Sequence, residues 1–158
     1  MATLGVMKIV VHIERQVTRI RFSSDRLKRL VRFVCRRFQV RNAVINIRVV
    51  DDYQIRRMNK KFLNSSRNTD CLSFDLSEGR AGSKRLFDCV VNGPMAARQA
   101  KKRGRSQESE LALYIVHCLL HNLGYDDRTS QQAVKMHEIE DEILQQRGYG
   151  LVYNRLPG

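Results

Sequence analysis

The chain has 158 residues, of which 42% are hydrophobic and 28% are charged, a composition typical of a folded globular protein and not of a disordered one. No apolar run approaches the roughly 20 residues that a membrane-spanning helix needs, so we expect no membrane partner. The 29 Lys and Arg outnumber the 16 Asp and Glu and give a formal net charge of +13, which favours a polyanionic partner such as nucleic acid.

In chain order, the residue pattern predicts alternating strands and helices, followed by helices alone. Strands are predicted at 6–13 and 43–51, which are β-branched runs, and at 69–76 and 85–92, which are separated by a turn rich in glycine and serine. Helices are predicted at 23–41, 51–63, 107–123 and 130–147, and another begins at Gly93-Pro94 and includes 97–105. We therefore expect an α/β (α+β) fold over 1–158 as a single domain, with one mixed sheet of about four strands packed with about five helices.

The positive charge is concentrated in the first two-thirds of the chain. Residues 1–105 contain 25 Lys and Arg against 8 Asp and Glu, a net charge of +17, whereas residues 106–158 contain 4 against 8, a net charge of −4. Dense clusters of this kind indicate phosphate contacts, and a solvated cationic surface is the alternative interpretation.

Three basic clusters account for most of the predicted nucleic-acid contacts. The first lies on the helix at 23–41, where Ser24 is the predicted N-cap and the arginines lie opposite an apolar stripe. The residues predicted to bind RNA are Arg29, Arg36 and Arg37 in the first cluster, Arg56, Arg57, Lys60 and Lys61 in the second, and Lys101, Lys102 and Arg103 in the third. A further charged stretch, the acidic one at 138–142, is predicted to be a solvated face, with a partner contact as the alternative.

The stretch "VHCLLHNLGYDD" at 116–127 ends a helix that is apolar on every side, which predicts that 107–123 is the central, buried helix. His117 and His121 are one turn apart and project from the same face of it. Gly124 ends the helix and lets the chain bring Asp127 back towards the two imidazoles. Three ligands with a fourth position open to water are typical of catalytic zinc sites, so we predict one Zn²⁺ per chain at His117, His121 and Asp127. The alternative is a structural histidine pair without a metal.

The residue that follows the first histidine argues against a zinc peptidase. Peptidases with this histidine spacing place a glutamate there as the general base, and this chain has Cys118.

The same segment resembles the signature of the YbeY family of metal-dependent endoribonucleases, which act in the maturation of ribosomal RNA. The family pattern is H-G-x-x-H-x-x-G-[YF]-x-H, usually with Asp before the last histidine. The matching residues are His117, His121, Leu123, Gly124, Tyr125 and Asp126.

Three further segments resemble the family in the same order along the chain. The hallmark T-D-V-L-S-F-P resembles "TDCLSFD" at 69–75, and the strand L-G-D-I-V-I resembles "LFDCVV" at 86–91. The pair Asn59 and Phe62 resembles the segment L-N-x-x-[YF]. The resemblance covers residues 6–150 and leaves 151–158 as a C-terminal tail.

Some positions depart from the family pattern. The third metal-binding histidine of the family corresponds to Asp127, and a carboxylate also binds zinc. The arginine that the family uses towards substrate phosphate corresponds to Leu63, and Arg67 is the predicted catalytic replacement for its charge. The other departures are Cys118, Asp75 and Phe87.

Two functions follow from the resemblance. The first is a ribosome biogenesis factor that acts on small-subunit ribosomal RNA as a zinc-dependent endoribonuclease. The second is a catalytically weakened or inactive RNA-binding assembly factor of the small ribosomal subunit. The implied partners of both are ribosomal RNA, the small subunit or its assembly intermediates, and assembly-factor proteins. The basic chain favours a mitochondrial location, with the cytoplasm as the alternative.

Overall fold

A four-stranded mixed sheet forms the middle of the protein. The computed structural model describes residues 6–80 and 82–154, and its strands are β1 (Lys8–Arg15), β2 (Asn42–Val50), β3 (Cys71–Asp75) and β4 (Arg85–Asn92). The strand order is β1-β2-β4-β3, in which β1, β2 and β4 are parallel and β3 is antiparallel to β4. Ile45 lies opposite Val11 on β1 and Phe87 on β4, and this row of buried side chains contributes to the main core.

Five helices connect and cover the strands in the described part of the chain. They are α1 (Ser24–Arg37), α2 (Asp52–Leu63), α3 (Gly93–Arg103), α4 (Gln107–Asn122) and α5 (Ser130–Gln146). Helix α4 contacts β3 and β4 and is surrounded by α1, α3 and α5, which explains why its apolar residues face every direction. The predicted fold class, with a central helix that carries the histidine pair, is confirmed.

The helix caps follow local sequence rules, with one shift. Ser23, not Ser24, is the N-cap of α1, because Ser23 has extended backbone angles and its hydroxyl accepts a hydrogen bond from the Arg26 amide. Ser106 caps α4 by accepting from the Ser109 amide, and Thr129 forms a capping box with Gln132 at the start of α5.

The second face of the sheet is only partly covered. Helix α2 packs there through Ile55 against Val50, Leu72 and Val90, which form a small second core. Among residues 6–80 and 82–154, α1 is the helix packed against β1, and on the second face Val10 of β1 is 45% exposed. Across residues 6–80 and 82–154, every helix is too short or too polar to cross a membrane.

Candidate metal centre

The end of α4 places two histidines and an aspartate around one point. Leu123 caps the helix, and Gly124 follows in the left-handed region with φ of +98°, a conformation that glycine adopts without steric cost. The Tyr125 amide then donates to the Leu120 carbonyl, so the chain turns back against α4. This reversal brings Asp127 beside His117 and His121, which project from the last two turns of the helix.

The three side chains converge through single donor atoms. The Nε2 atoms of His117 and His121 are 3.0 Å apart. The Oδ2 atom of Asp127 lies 3.5 Å from the first of these nitrogens and 3.7 Å from the second. The three residues predicted to bind metal are therefore brought together by the structure.

The opposite nitrogens of the two rings set the tautomers. The Nδ1 atom of His117 lies 3.1 Å from Oε1 of Glu140, and the Nδ1 atom of His121 lies 3.1 Å from the carbonyl oxygen of Tyr125. Both partners are acceptors, so each Nδ1 carries the hydrogen and each Nε2 presents a lone pair to the centre. This arrangement, with the outer nitrogen held by a carboxylate or a carbonyl, is typical of metal-bound histidine.

The centre fits a small divalent cation. Two lone pairs 3.0 Å apart, with a carboxylate oxygen nearby, repel one another unless a proton or a cation lies between them. A tetrahedral zinc ion with bonds of about 2.0–2.1 Å requires donor atoms roughly 3.3–3.4 Å apart, close to the distances found here. Two imidazoles and one carboxylate are also a donor set that zinc accepts.

Glu140 is a candidate functional residue that was absent from the residues predicted from the sequence. The acidic stretch at 138–142 was predicted to be solvated, yet Glu140 is fully buried on α5 and its Oε2 atom has no hydrogen-bond partner in the described chain. Burial disfavours the His117 imidazolium, but the hydrogen bond and charge of Glu140 outweigh burial and raise the pKa of His117 above 6.5. The sequence does contain an indication that Glu140 is buried, because its helical spacing from Met136 and Leu144 places it on the apolar stripe of α5.

Asp141, the next residue, is also buried, and it holds the end of the described chain. Its carboxylate accepts hydrogen bonds from the backbone amides of Val152, Tyr153 and Asn154 at 2.7–3.1 Å. Tyr153 then stacks on His137 with ring centroids 3.7 Å apart. Residues 151–154 of the predicted tail are thus docked on α5, and 155–158 lie outside the described residues.

A cavity of about 350 Å³ opens beside His117 and Glu140. Its other walls come from the loop before β3, from α3, from α4 and from the docked tail. They are Asn68, Thr69, Asp70, Met95, Gln99, Arg103, Leu113, Tyr114 and Tyr153. Arg103 is the cation in this lining, and its guanidinium also pairs with the buried Glu110 at 3.3 Å.

The loop between α2 and β3 is tied to the fold through Asp52. The Asp52 carboxylate accepts hydrogen bonds from the side-chain amides of Asn68 and Asn92 at 2.7 and 2.9 Å, and from Arg98 at 2.9 and 3.0 Å. The Arg98 hydrogen bonds and charge outweigh partial burial and hold the pKa of Asp52 well below 3.8. This network fixes the segment that presents Asp70 to the cavity.

Arg67 and Leu63 belong to the same region but do not contribute to the described cavity lining. Arg67 is exposed, and its carbonyl oxygen accepts a hydrogen bond of 2.9 Å from the Asn59 side chain. Leu63, at the position of the family's arginine, is 59% exposed. The cation in the cavity lining is Arg103, which is paired with Glu110 and was predicted only as a general RNA contact.

The three basic clusters lie on different sides of the protein. In the first, Arg29 and Arg36 are exposed, whereas Arg37 forms two hydrogen bonds of 2.9 and 3.0 Å with Glu142 on α5. The second, on α2, consists of exposed Arg56, Arg57, Lys60 and Lys61. The third has Lys101 and Lys102 exposed and Arg103 at the cavity. The chain therefore presents cations on both faces of the sheet.

Comparison with known proteins connects this geometry to a family. A family model described as Endoribonuclease YbeY matches residues 12–148. A protein named Endoribonuclease YbeY from Myxococcus xanthus is 41% identical over 107 residues, which cover 66% of this chain and 36% of that protein. The protein of the same name from Aquifex aeolicus is 32% identical over 122 residues, which cover 77% of this chain and 81% of that protein.

A solved structure with the same fold comes from Thermotoga maritima. The solution structure of TM1509 superposes with a TM-score of 0.54 and covers 94% of this chain and 100% of its own, at 18% sequence identity. At this identity, the likeness supports the arrangement of the elements alone.

Proposed function

The chain belongs to the endoribonuclease YbeY family, and from this premise we propose that it hydrolyses phosphodiester bonds of ribosomal RNA with a metal ion held by His117, His121 and Asp127. The observation that carries the proposal is the convergence of two Nε2 atoms and one carboxylate oxygen at 3.0–3.7 Å. We propose zinc as the ion, because its coordination number and bond lengths suit this donor set.

The residues around the centre have separable roles in this proposal. Glu140 and the Tyr125 carbonyl hold the Nδ1 hydrogens, so that both Nε2 atoms stay available as ligands. A zinc ion bound there supplies a Lewis acid and an activated water molecule. Arg103, at the cavity wall, is placed to contact a phosphate of the bound RNA, with Arg67 on the exposed part of the neighbouring loop as a second candidate.

The second candidate function is an RNA-binding assembly factor of the small ribosomal subunit without turnover. The observation that favours it is the exposed Leu63, which supplies no charge where the family has an arginine. The assembly factor and the nuclease would share the fold and the RNA partner, so only an assay of RNA cleavage distinguishes the two functions.

Metal content and RNA cleavage on one set of variants test these proposals. We expect about one zinc per chain by mass spectrometry in the wild type, and loss of both metal and cleavage of ribosomal RNA in His121→Ala. The matched control is His12→Ala, because His12 is an exposed histidine on β1 outside the centre.

Two results would contradict the nuclease. A wild-type protein that takes up no stoichiometric metal when zinc is offered would remove the proposed centre. A protein that holds zinc and binds ribosomal RNA but leaves it uncut would support the assembly factor.

A further inference from the structure

A groove runs between α2 and the uncovered part of the sheet, on the face opposite α4. Its volume is about 590 Å³, and its lining consists of Gln16, Arg48, Gln54, Arg57, Met58, Lys60, Lys61 and Phe62. None of these residues lines the cavity beside His117. The groove is therefore a separate surface from the proposed catalytic centre.

The charge of this groove is strongly one-sided. Four of its eight lining residues are cations, and no ion pair within 4.0 Å engages Arg48, Arg57 or the two lysines among residues 6–80 and 82–154. Glu14 of β1 lies opposite Arg48 of β2 in the strand register. Its carboxylate accepts a hydrogen bond from the Gln16 side chain and forms no ion pair with Arg48 among the described residues. Like charges gathered this closely favour a polyanion.

One aromatic ring in the lining, that of Phe62, lies among these cations. Phe62 is 55% exposed, and its ring is oriented by an edge contact with Phe74 at 5.5 Å between centroids. The Lys61 ammonium lies 5.3 Å from the Phe62 centroid. An exposed ring held in place beside cations is the arrangement on which unpaired bases stack.

We propose that this groove binds single-stranded RNA, with phosphates on Arg48, Arg57, Lys60 and Lys61 and a base stacked on Phe62. The proposal rests on the proposed function in taking RNA as the ligand, and it adds a docking surface that guides or anchors the strand away from the metal centre. A single strand fits better than a duplex, because only unpaired bases expose a face to the ring.

Binding of a single-stranded ribonucleotide of about 12 residues, measured by fluorescence anisotropy with metal chelated, tests the groove without turnover. The first variant is Phe62→Ala, matched by Val134→Ala, since both side chains are 55% exposed. The second is Arg57→Ala with Lys61→Ala, matched by Arg19→Ala with Lys135→Ala, a pair of exposed cations outside the groove.

The two variants have different expected signatures. Phe62→Ala should weaken binding roughly tenfold and leave its salt dependence unchanged, because it removes stacking alone. The double variant should lower the slope of log affinity against log salt by about 1.4, which corresponds to two lost phosphate contacts on a single strand. Val134→Ala should bind RNA as tightly as the wild type, and the Arg19→Ala, Lys135→Ala control should keep the wild-type salt slope.

The outcomes separate this inference from the proposed function. Wild-type binding that both groove variants leave at the level of their controls would overturn the inference and keep the function. A wild type that binds no RNA would overturn both. If polyglutamate displaced the RNA as effectively as unlabelled RNA of equal charge, the groove would serve an acidic protein and the inference would fail.

Discussion

His117 and Glu140 meet across the contact between α4 and α5, where Nδ1 of the imidazole lies 3.1 Å from Oε1 of a fully buried carboxylate. A buried charge on an apolar helix stripe is costly unless it has a partner. Here the partner is a proposed metal ligand, so Glu140 positions the ring and strengthens its Nε2 as a donor.

We predict that Glu140→Gln lowers zinc affinity roughly 10–100-fold, because a neutral amide polarises the His117 ring less than a carboxylate does. The measurement is a competition titration with a chromophoric zinc chelator. The free energy of unfolding of the metal-free protein should change by no more than about 1 kcal/mol, since the wild-type carboxylate already has an unpaired buried oxygen. Glu138→Gln, exposed on the same helix, is the control. Equal affinities in both variants would contradict the positioning role.

Asp127→His should keep the metal and raise the rate of RNA cleavage. A neutral imidazole in place of a carboxylate leaves more positive charge at the centre, so the activated water loses its proton more readily. We therefore expect the rising limb of the pH–rate profile to move to lower pH. Asp127→Ala should lose metal affinity. An unchanged profile in Asp127→His would show that Asp127 is not a ligand.

Arg103→Gln should reduce kcat for RNA cleavage roughly a hundredfold, because the cation proposed to contact the phosphate is lost. Metal content should be unchanged, and the fold should persist because Arg105 remains 3.5 Å from the buried Glu110. Lys102→Gln, an exposed neighbour on α3, should cleave normally. Similar rates in Arg103→Gln and Lys102→Gln would contradict this role and leave Arg67 as the candidate for the phosphate contact.

Acid should weaken the loop that presents Asp70, through Asp52. Because the folded state lowers the pKa of Asp52, its stabilisation is present above the unfolded-state pKa of about 3.9 and is lost as the pH falls below that value. We expect Asp52→Asn to lower the free energy of unfolding by about 1–2 kcal/mol at pH 7. Denaturant titrations should show this difference shrinking below pH 4 or so. Glu78→Gln, at an exposed position, should show no such trend; a pH-independent difference in Asp52→Asn would refute the linkage.

The sequence by itself determined what depends on neighbours within a few residues. Ser106 and Thr129 mark helix starts because a cap bonds an amide two or three positions on, and Gly124 marks a helix end because its φ is positive. The spacing of His117 and His121 put their rings on one face for the same local reason. The prediction of Ser24 as the N-cap of α1 was wrong by one residue, because both Ser23 and Ser24 have the hydroxyl that a cap requires.

Only the tertiary structure decided which distant residues share a site. Glu140 is 23 positions from His117, and α5 must pack on α4 before the two can meet. Arg103 reaches the cavity, and Arg48 faces α2, because the sheet order β1-β2-β4-β3 sets which helix covers which strand. Local patterns carry no information about that packing, since it depends on how whole apolar faces fit together.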